Sequence, residues 1–251
     1  MSAHGKERRS IEILLAPGHD AAMDTKLNGV ANLIEYLKTV DSPTLSNAIE
    51  TLNLQRRDAG FTPLQIRCLF PELGRLCGYA VTAQVETVTG MHLTEEAAFL
   101  ELFKAVEESP KPAVVAFQEI GGHADYAAHC GEIMATAFTR LGAVGLVTDS
   151  GVRDVPEVRA LRFRYFARGT VVSHASFRIV RVGVPIHIMG VELKPGDLVH
   201  GDENGLLRIP AAALAALPPA VDRVRERERR LMEFMRSPDF TVQKLKGRFI
   251  E

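Results

Sequence analysis

The sequence predicts an α/β fold, and three observations carry that reading. Two short apolar runs, Ala113-Val-Val-Ala-Phe117 and Val144-Gly-Leu-Val147, have the length and composition of strands buried on both faces. An amphipathic helical pattern precedes each. Ala97, Phe99, Leu100, Phe103 and Val106 share one face before the first, and residues 127–141 read as a helix before the second. The C-terminal third then switches to a period of two. Strand and helix in alternation build a sheet whose ligand sites lie beyond the carboxyl ends of its strands.

The elements follow in order. Residues 1–29 carry no convincing period and contain Pro17-Gly18 and Asn28-Gly29, so they read as an extension. Leu33, Ile34 and Leu37 have helical spacing. Ser42-Pro43 reads as an N-cap with proline in the first turn, opening a helix through Leu45, Ile49 and Leu52. Residues 54–78 are rich in turn residues. Val81, Ala83 and Val85 alternate as a half-buried strand over residues 79–88. Pro110 and Pro112 end the next helix. After the second buried strand a short helix is expected around residues 158–161. Val184, Ile186 and Ile188 alternate, as do Val191 and Leu193. Asp202-Glu-Asn-Gly205 is a hairpin turn between two further strands. Ala211 opens a long charged helix to about Arg236. No internal repeat or low-complexity linker appears. The expected organisation is an extension over 1–29, one domain over 30–210 and a helical tail over 211–251.

Composition limits the function classes. Thirty basic residues against thirty-one acidic ones give a formal charge of −1, which argues against a nucleic-acid or membrane-surface binder working through bulk charge. Cys68, Cys77 and Cys130 fit neither a disulfide framework nor a CxxC zinc site and read as reduced cytoplasmic thiols. No run approaches the roughly 18 apolar residues of a membrane span. There is no P-loop and no GxGxxG. No lysine stands in an apolar strand where a Schiff-base aldolase would want one, which turns the reading toward metal chemistry.

The chemistry concentrates between Gly131 and Asp154. Gly131-Glu132-Ile133-Met134 opens a helix, and its first backbone N–H groups can hold an anionic group. Twenty residues after Glu132 comes Arg153-Asp154, directly behind a buried strand and the turn Asp149-Ser150-Gly151. Arginine grips a carboxylate with a two-pronged fork, and aspartate can hold a hard divalent cation. Each has a plainer alternative. Acids favour early helical turns in any protein. Asp154-Val-Pro-Glu157 is also a capping box, with Arg153 a surface cation. Asp197, Asp202 and Glu203 read as turn formers, His129 as structural, and Cys130 as buried.

Gly131-Glu-Ile-Met-Ala-Thr-Ala, Gly145-Leu-Val-Thr-Asp-Ser-Gly-Val-Arg-Asp154, Tyr165-Phe-Ala-Arg-Gly169, Val184-Pro-Ile186 and Gly190-Val-Glu-Leu-Lys-Pro-Gly-Asp-Leu-Val-His-Gly-Asp-Glu-Asn-Gly205 together resemble the RraA-like family. That family includes the 4-hydroxy-4-methyl-2-oxoglutarate (4-carboxy-4-hydroxy-2-oxoadipate) aldolases and the regulators of ribonuclease E activity. The resemblance covers roughly residues 40–210. It implies an α/β/β/α sandwich of the swivelling-domain type, with a C-terminal helix, assembled as trimers or hexamers with sites between subunits. It implies substrate binding by Gly131, Glu132, Ile133, Met134 and Arg153, catalysis by Glu132, Arg153 and Asp154, and Mg²⁺ or Mn²⁺ held by Asp154. The implied activity is a divalent-metal-dependent class II pyruvate aldolase acting on a small oxo acid, with oxaloacetate decarboxylation as a related reaction. The alternative is a non-catalytic regulator that inhibits an RNA-degrading enzyme. Against the family pattern, Glu132 stands where aspartate is expected, Ser150 where glycine is common and Asn47 where aspartate is usual. Leu231, Met232, Phe234 and Met235 lie beyond the resemblance and read as a subunit contact, with Glu226 or Glu228 near enough in sequence to reach a neighbour's site.

Overall fold

A computed structural model describes residues 32–88 and 95–248. The chain divides into two units, Met1–Tyr36 and Leu37–Glu251. In the first, residues 32–36 are helical, and the extension read over 1–29 lies outside the described residues.

The second unit is built on an eight-stranded mixed sheet. Its strands are β1 (Arg67–Cys68), β2 (Leu76–Val88), β3 (Ala113–Glu119), β4 (Ala143–Thr148), β6 (Arg164–Ala167), β8 (Ser176–Val182), β11 (Leu198–Asp202) and β12 (Gly205–Ile209). The order is β1-β6-β4-β3-β2-β11-β12, with β8 also on β2. Strands β2, β3, β4 and β6 are parallel neighbours. Along β3 the side chains alternate between two cores. Ala113, Val115 and Phe117 enter one and Val114 and Ala116 the other, so the uninterrupted apolar run is what a strand covered on both faces requires.

Helices α2 (Glu96–Glu108), α3 (Glu132–Arg140) and α4 (Val155–Ala160) cover the first face through Leu102, Val106, Ala135, Phe138 and Val158. The ribbon of β9 (Ile186–Ile188) and β10 (Val191–Leu193) covers the second through alternate residues. Helices α1 (Ser42–Thr51) and α5 (Leu217–Arg236) pack on each other, α1 also lying on β11 and β12. A last short helix, α6 (Val242–Leu245), follows. This is the layered α/β arrangement expected. Among the described residues no helix is long and apolar enough to cross a membrane.

Several boundaries differ from expectation, each for a local reason. Asp41, not Ser42, caps α1, because its Oδ1 accepts from Thr44 N at 2.8 Å. The helix expected over 127–141 starts only at Glu132, since Ala128 N and His129 N are committed to Ser173 O and Gly151 O, both at 2.9 Å. The long helix begins at Leu217 after a 3₁₀ turn at Ala211–Ala213. Pro218 and Pro219 then fill its first turn, where a missing N–H costs nothing.

The carboxyl ends of β3 and β4 are tied by a buried acid. Glu119 accepts from Thr87 N (2.9 Å), Thr87 Oγ1 (2.6 Å) and Gly121 N (2.7 Å), and pairs with His129 Nε2 at 2.9 Å. His129 Nδ1 meets Thr148 Oγ1 at 2.9 Å. Burial alone would raise the Glu119 carboxyl, but the bonds from His129, Thr87 and Gly121 outweigh it and bring it down to about 2. Its stabilising effect is therefore complete above the ordinary carboxylate range near 4.5 and is lost as pH falls toward 2. Glu119→Ala should cost about 3 kcal/mol at neutral pH, the scale of breaking a buried pair. In denaturant titrations of both proteins that difference should shrink between pH 5 and pH 3. An unchanged difference would show that the carboxylate is not held in this way.

Candidate functional site

The site is assembled where three segments run side by side. Strand β5 (Gly151–Val152) pairs in parallel with β7 (Gly169–Thr170), Gly151 opposite Gly169 and Val152 opposite Thr170. On its other edge Gly151 N donates to Ala127 O at 3.1 Å, and Arg153 N donates to Cys130 O at 3.0 Å. This lacing sets Gly131 against Arg153 and Asp154. A Cβ on Gly131 would lie 2.4 Å from Asp154 Oδ2 and 3.0 Å from Arg153 Nε. Its φ of −135° is open to any residue, so glycine is required here for close approach and not for backbone freedom.

Asp154 adopts a left-handed conformation, φ 57° and ψ 46°, and makes no capping bond to α4. The capping-box alternative therefore fails. Its Oδ2 reaches across to α3 and accepts from Glu132 N at 2.9 Å. The sequence separates these groups by 22 residues and the structure joins them. Arg153 Nε stands 3.6 Å from the same oxygen, and both side chains are about a third exposed. A cleft of about 310 Å³ opens beside them, lined also by Val155, Thr170, Val171 and Val172. Glu132 is exposed at the first position of α3. Met134 is half-buried against the core, while Ile133 is 85% exposed.

Beneath the site, burial pushes the Cys130 thiol up to about 12, so it stays protonated, with Gly131 O at 3.6 Å from its sulfur. It is no nucleophile at neutral pH. Ser150 is fully buried, its Oγ within 2.6 Å of Ala124 O and 2.8 Å of Ala127 O. The hydroxyl that departs from the family pattern thus fastens the 124–127 loop. Asn47 Nδ2 donates to Glu228 Oε1 on α5 at 3.3 Å, and Glu226 pairs with Arg229 and Arg230. Both acids have partners within this chain. Phe234 is half-buried, Phe240 lying edge-on at 5.7 Å and Arg248 over its ring at 4.8 Å, so part of the apolar tail packs on its own chain.

Asp197 accepts from Lys194 N, and Asp202 from Ser42 N and Asn204 N, as turn formers do. Glu119, Asp149 and Arg168 were not marked by sequence spacing. Asp149 Oδ1 accepts from Glu119 N at 2.8 Å, and burial raises its carboxyl to about 6. Among the described residues no group of three or more His, Cys, Asp or Glu gathers as a metal cage. A cation here would rest on Asp154, half-exposed and held in place through one oxygen, with water and substrate filling the other positions. That donor set suits Mg²⁺ or Mn²⁺.

Residues 42–208 match the RraA-like family, described as Aldolase/RraA. A Halalkalibacterium halodurans protein provisionally named a 4-hydroxy-4-methyl-2-oxoglutarate aldolase is 28% identical over 180 residues, 71% of this chain and 77% of that protein. A Thermus thermophilus 4-hydroxy-4-methyl-2-oxoglutarate aldolase is 32% identical over 110 residues, 43% of this chain and 66% of that protein. The crystal structure of Streptomyces coelicolor RraAS2, described as an unusual member of the RNase ES inhibitor RraA protein family, is similar with a TM-score of 0.62 at 26% identity, covering 82% of this chain and 96% of that one. The family match spans well over half of the sequence and includes every residue of the laced site, and on it the chain belongs to the RraA-like, Aldolase/RraA, family.

Proposed function

We propose that the protein is a divalent-metal-dependent class II aldolase that cleaves a 4-hydroxy-2-oxo acid to pyruvate, and that oxaloacetate decarboxylation runs at the same site. The observation that carries this reading is the junction of Glu132 N, Arg153 and Asp154 across Gly131. Relatives named as aldolases support it. When bound, Mg²⁺ or Mn²⁺ supplies Lewis-acid charge at the keto and carboxylate oxygens of the substrate. Asp154 holds the cation. Arg153 binds the substrate carboxylate and stabilises the enolate charge left when the C3–C4 bond breaks. The N-terminus of α3 adds its dipole. Glu132, exposed at the mouth, receives the proton of the 4-hydroxyl by way of water and returns it to C3. Losing carbon dioxide from oxaloacetate leaves the same enolate. Assembly as a trimer or hexamer is part of the proposal, and the exposed Ile133 and Val172 at 85% and 95% beside the cleft favour a covered site.

The second reading, a regulator that binds an RNA-degrading enzyme, is favoured by the name of the Streptomyces coelicolor relative. Pyruvate release from 4-hydroxy-2-oxo acids, with and without EDTA, separates the two. Full activity in EDTA would defeat the metal mechanism, and no activity with added metal would favour the regulator.

Asp154→Ala should abolish turnover and be partly rescued by excess metal. Arg153→Ala should lose about 2–4 kcal/mol of transition-state stabilisation with no rescue, roughly a thirty- to thousand-fold fall in kcat/KM. Steady-state kinetics across a Mg²⁺ titration distinguishes them, and near-normal turnover in both would remove these residues from the site. Gly131→Ala should mimic Asp154→Ala in activity, because the new methyl displaces the Asp154 carboxylate, while thermal unfolding moves by only a few degrees.

A further inference from the structure

A second, larger cleft of about 590 Å³ adjoins the one at Arg153 and Asp154, and the two share Thr170 and Val171 as a common wall. Its polar lining includes Gln65, Arg67, Asp125 and Arg168. A Cβ at Gly169 would meet no atom within 4 Å, so its floor is open there. Arg168 N donates to Ser150 O at 3.1 Å, which sets Arg168 level with Ser150 on the parallel ribbon. Arg153 lies three residues further along, about 10 Å away at ~3.3 Å per residue. Two guanidinium groups thus flank one wall, at a spacing that long arginine side chains can close around a short dianion.

We infer that Arg168 is a specificity-determining residue that takes the distal carboxylate of a dicarboxylic oxo acid whose 2-oxo acid end is held at Arg153. This rests on the aldolase reading above. A neutral acceptor fragment would give Arg168 nothing to bind, whereas a second carboxylate completes its charge. The place is held by Asp125, whose Oδ1 lies 2.8 Å from Arg168 Nη1. The Asp125 side chain is 70% exposed, so the pair is weak and open to exchange. Ligand carboxylate replaces protein carboxylate, and Asp125 moves into solvent it already faces.

Calorimetric titration of the full-length, Mg²⁺-loaded protein with pyruvate and with 2-oxoglutarate tests this without requiring turnover. The wild type should bind 2-oxoglutarate at least tenfold more tightly. Arg168→Gln should erase that margin and leave pyruvate affinity unchanged. Asp125→Asn should widen it several-fold, because a competitor is gone. A margin that survives Arg168→Gln, or no margin or no binding in the wild type, overturns the assignment. Arg153→Ala separates this from the wider reading. If it abolishes pyruvate binding while Arg168→Gln leaves the margin intact, the Arg153 site stands and the Arg168 subsite falls.

Discussion

The site depends above all on the parallel lacing of residues 150–153 between two neighbours. On one side Gly151 and Arg153 bond to the 127–130 segment. On the other, Ser150 and Val152 accept from Arg168 and Val171. Backbone groups buried at this depth must be paired, and the pairing leaves little freedom in where Arg153 and Asp154 stand. Gly151 is part of the reason: a Cβ there would meet Val171 Cγ2 at 2.5 Å. Gly131 is the other part, because only a hydrogen in place of a methyl lets the Asp154 carboxylate come within reach of Glu132 N. Two glycines twenty residues apart in sequence thus do one job, the close approach of three strands of backbone around a carboxylate.

The acids at the strand ends show how environment divides like groups. Glu119 and Asp149 lie at neighbouring carboxyl ends, and both are substantially buried. Glu119 gathers donors from Thr87, Gly121 and His129 and is held down to about 2. Asp149 has Glu119 N at 2.8 Å, and burial prevails, raising it to about 6. Ionising Asp149 above that value works against the fold, while ionising Glu119 works for it. The pair therefore gives the loops under the site a broad stable range in mildly acidic to neutral solution. His129, which sequence reading left as a structural histidine, is the strut between β3, β4 and the laced segment.

What could be read in advance followed the physics of burial. The apolar runs of β3 and β4, the β9–β10 alternation and the Asp202–Gly205 turn are strong local signals, and all are present. Strands β6 and β8 were missed. β6 reads Arg-Tyr-Phe-Ala, too short for a period, and β8 is an edge strand whose exposed Arg178 and Arg181 interrupt the pattern. The start of α3 was misplaced because Ala127 and Ala128 are good helix formers on composition alone. Non-local bonds to Gly151 and Ser173 overrode that preference. Arg153 and Asp154 stood out because they follow a buried strand. Arg168 did not, because nothing local distinguishes it from a solvated arginine and its meaning comes only from the cleft behind β7.

Asp154 is the point where local and non-local rules compete. Asp-Val-Pro-Glu is a strong helix-start signal, and an extended backbone with the side chain turned onto α4 would satisfy it. The chain instead takes the left-handed conformation, which aspartate tolerates better than most residues but which still carries strain. That backbone turns the carboxylate away from its own helix and onto the first N–H of α3. The helix it leaves uncapped is only six residues long, opens with Pro156 in its first turn and is held by the buried Val158, so the loss there is small. The helix it reaches gains a fixed anion at its positive end. Departures of this kind from local preference are expected where function imposes a second constraint. Here the constraint is geometric: one oxygen engaged by Glu132 N, and the carboxylate thereby held at the edge of the cleft beside Arg153.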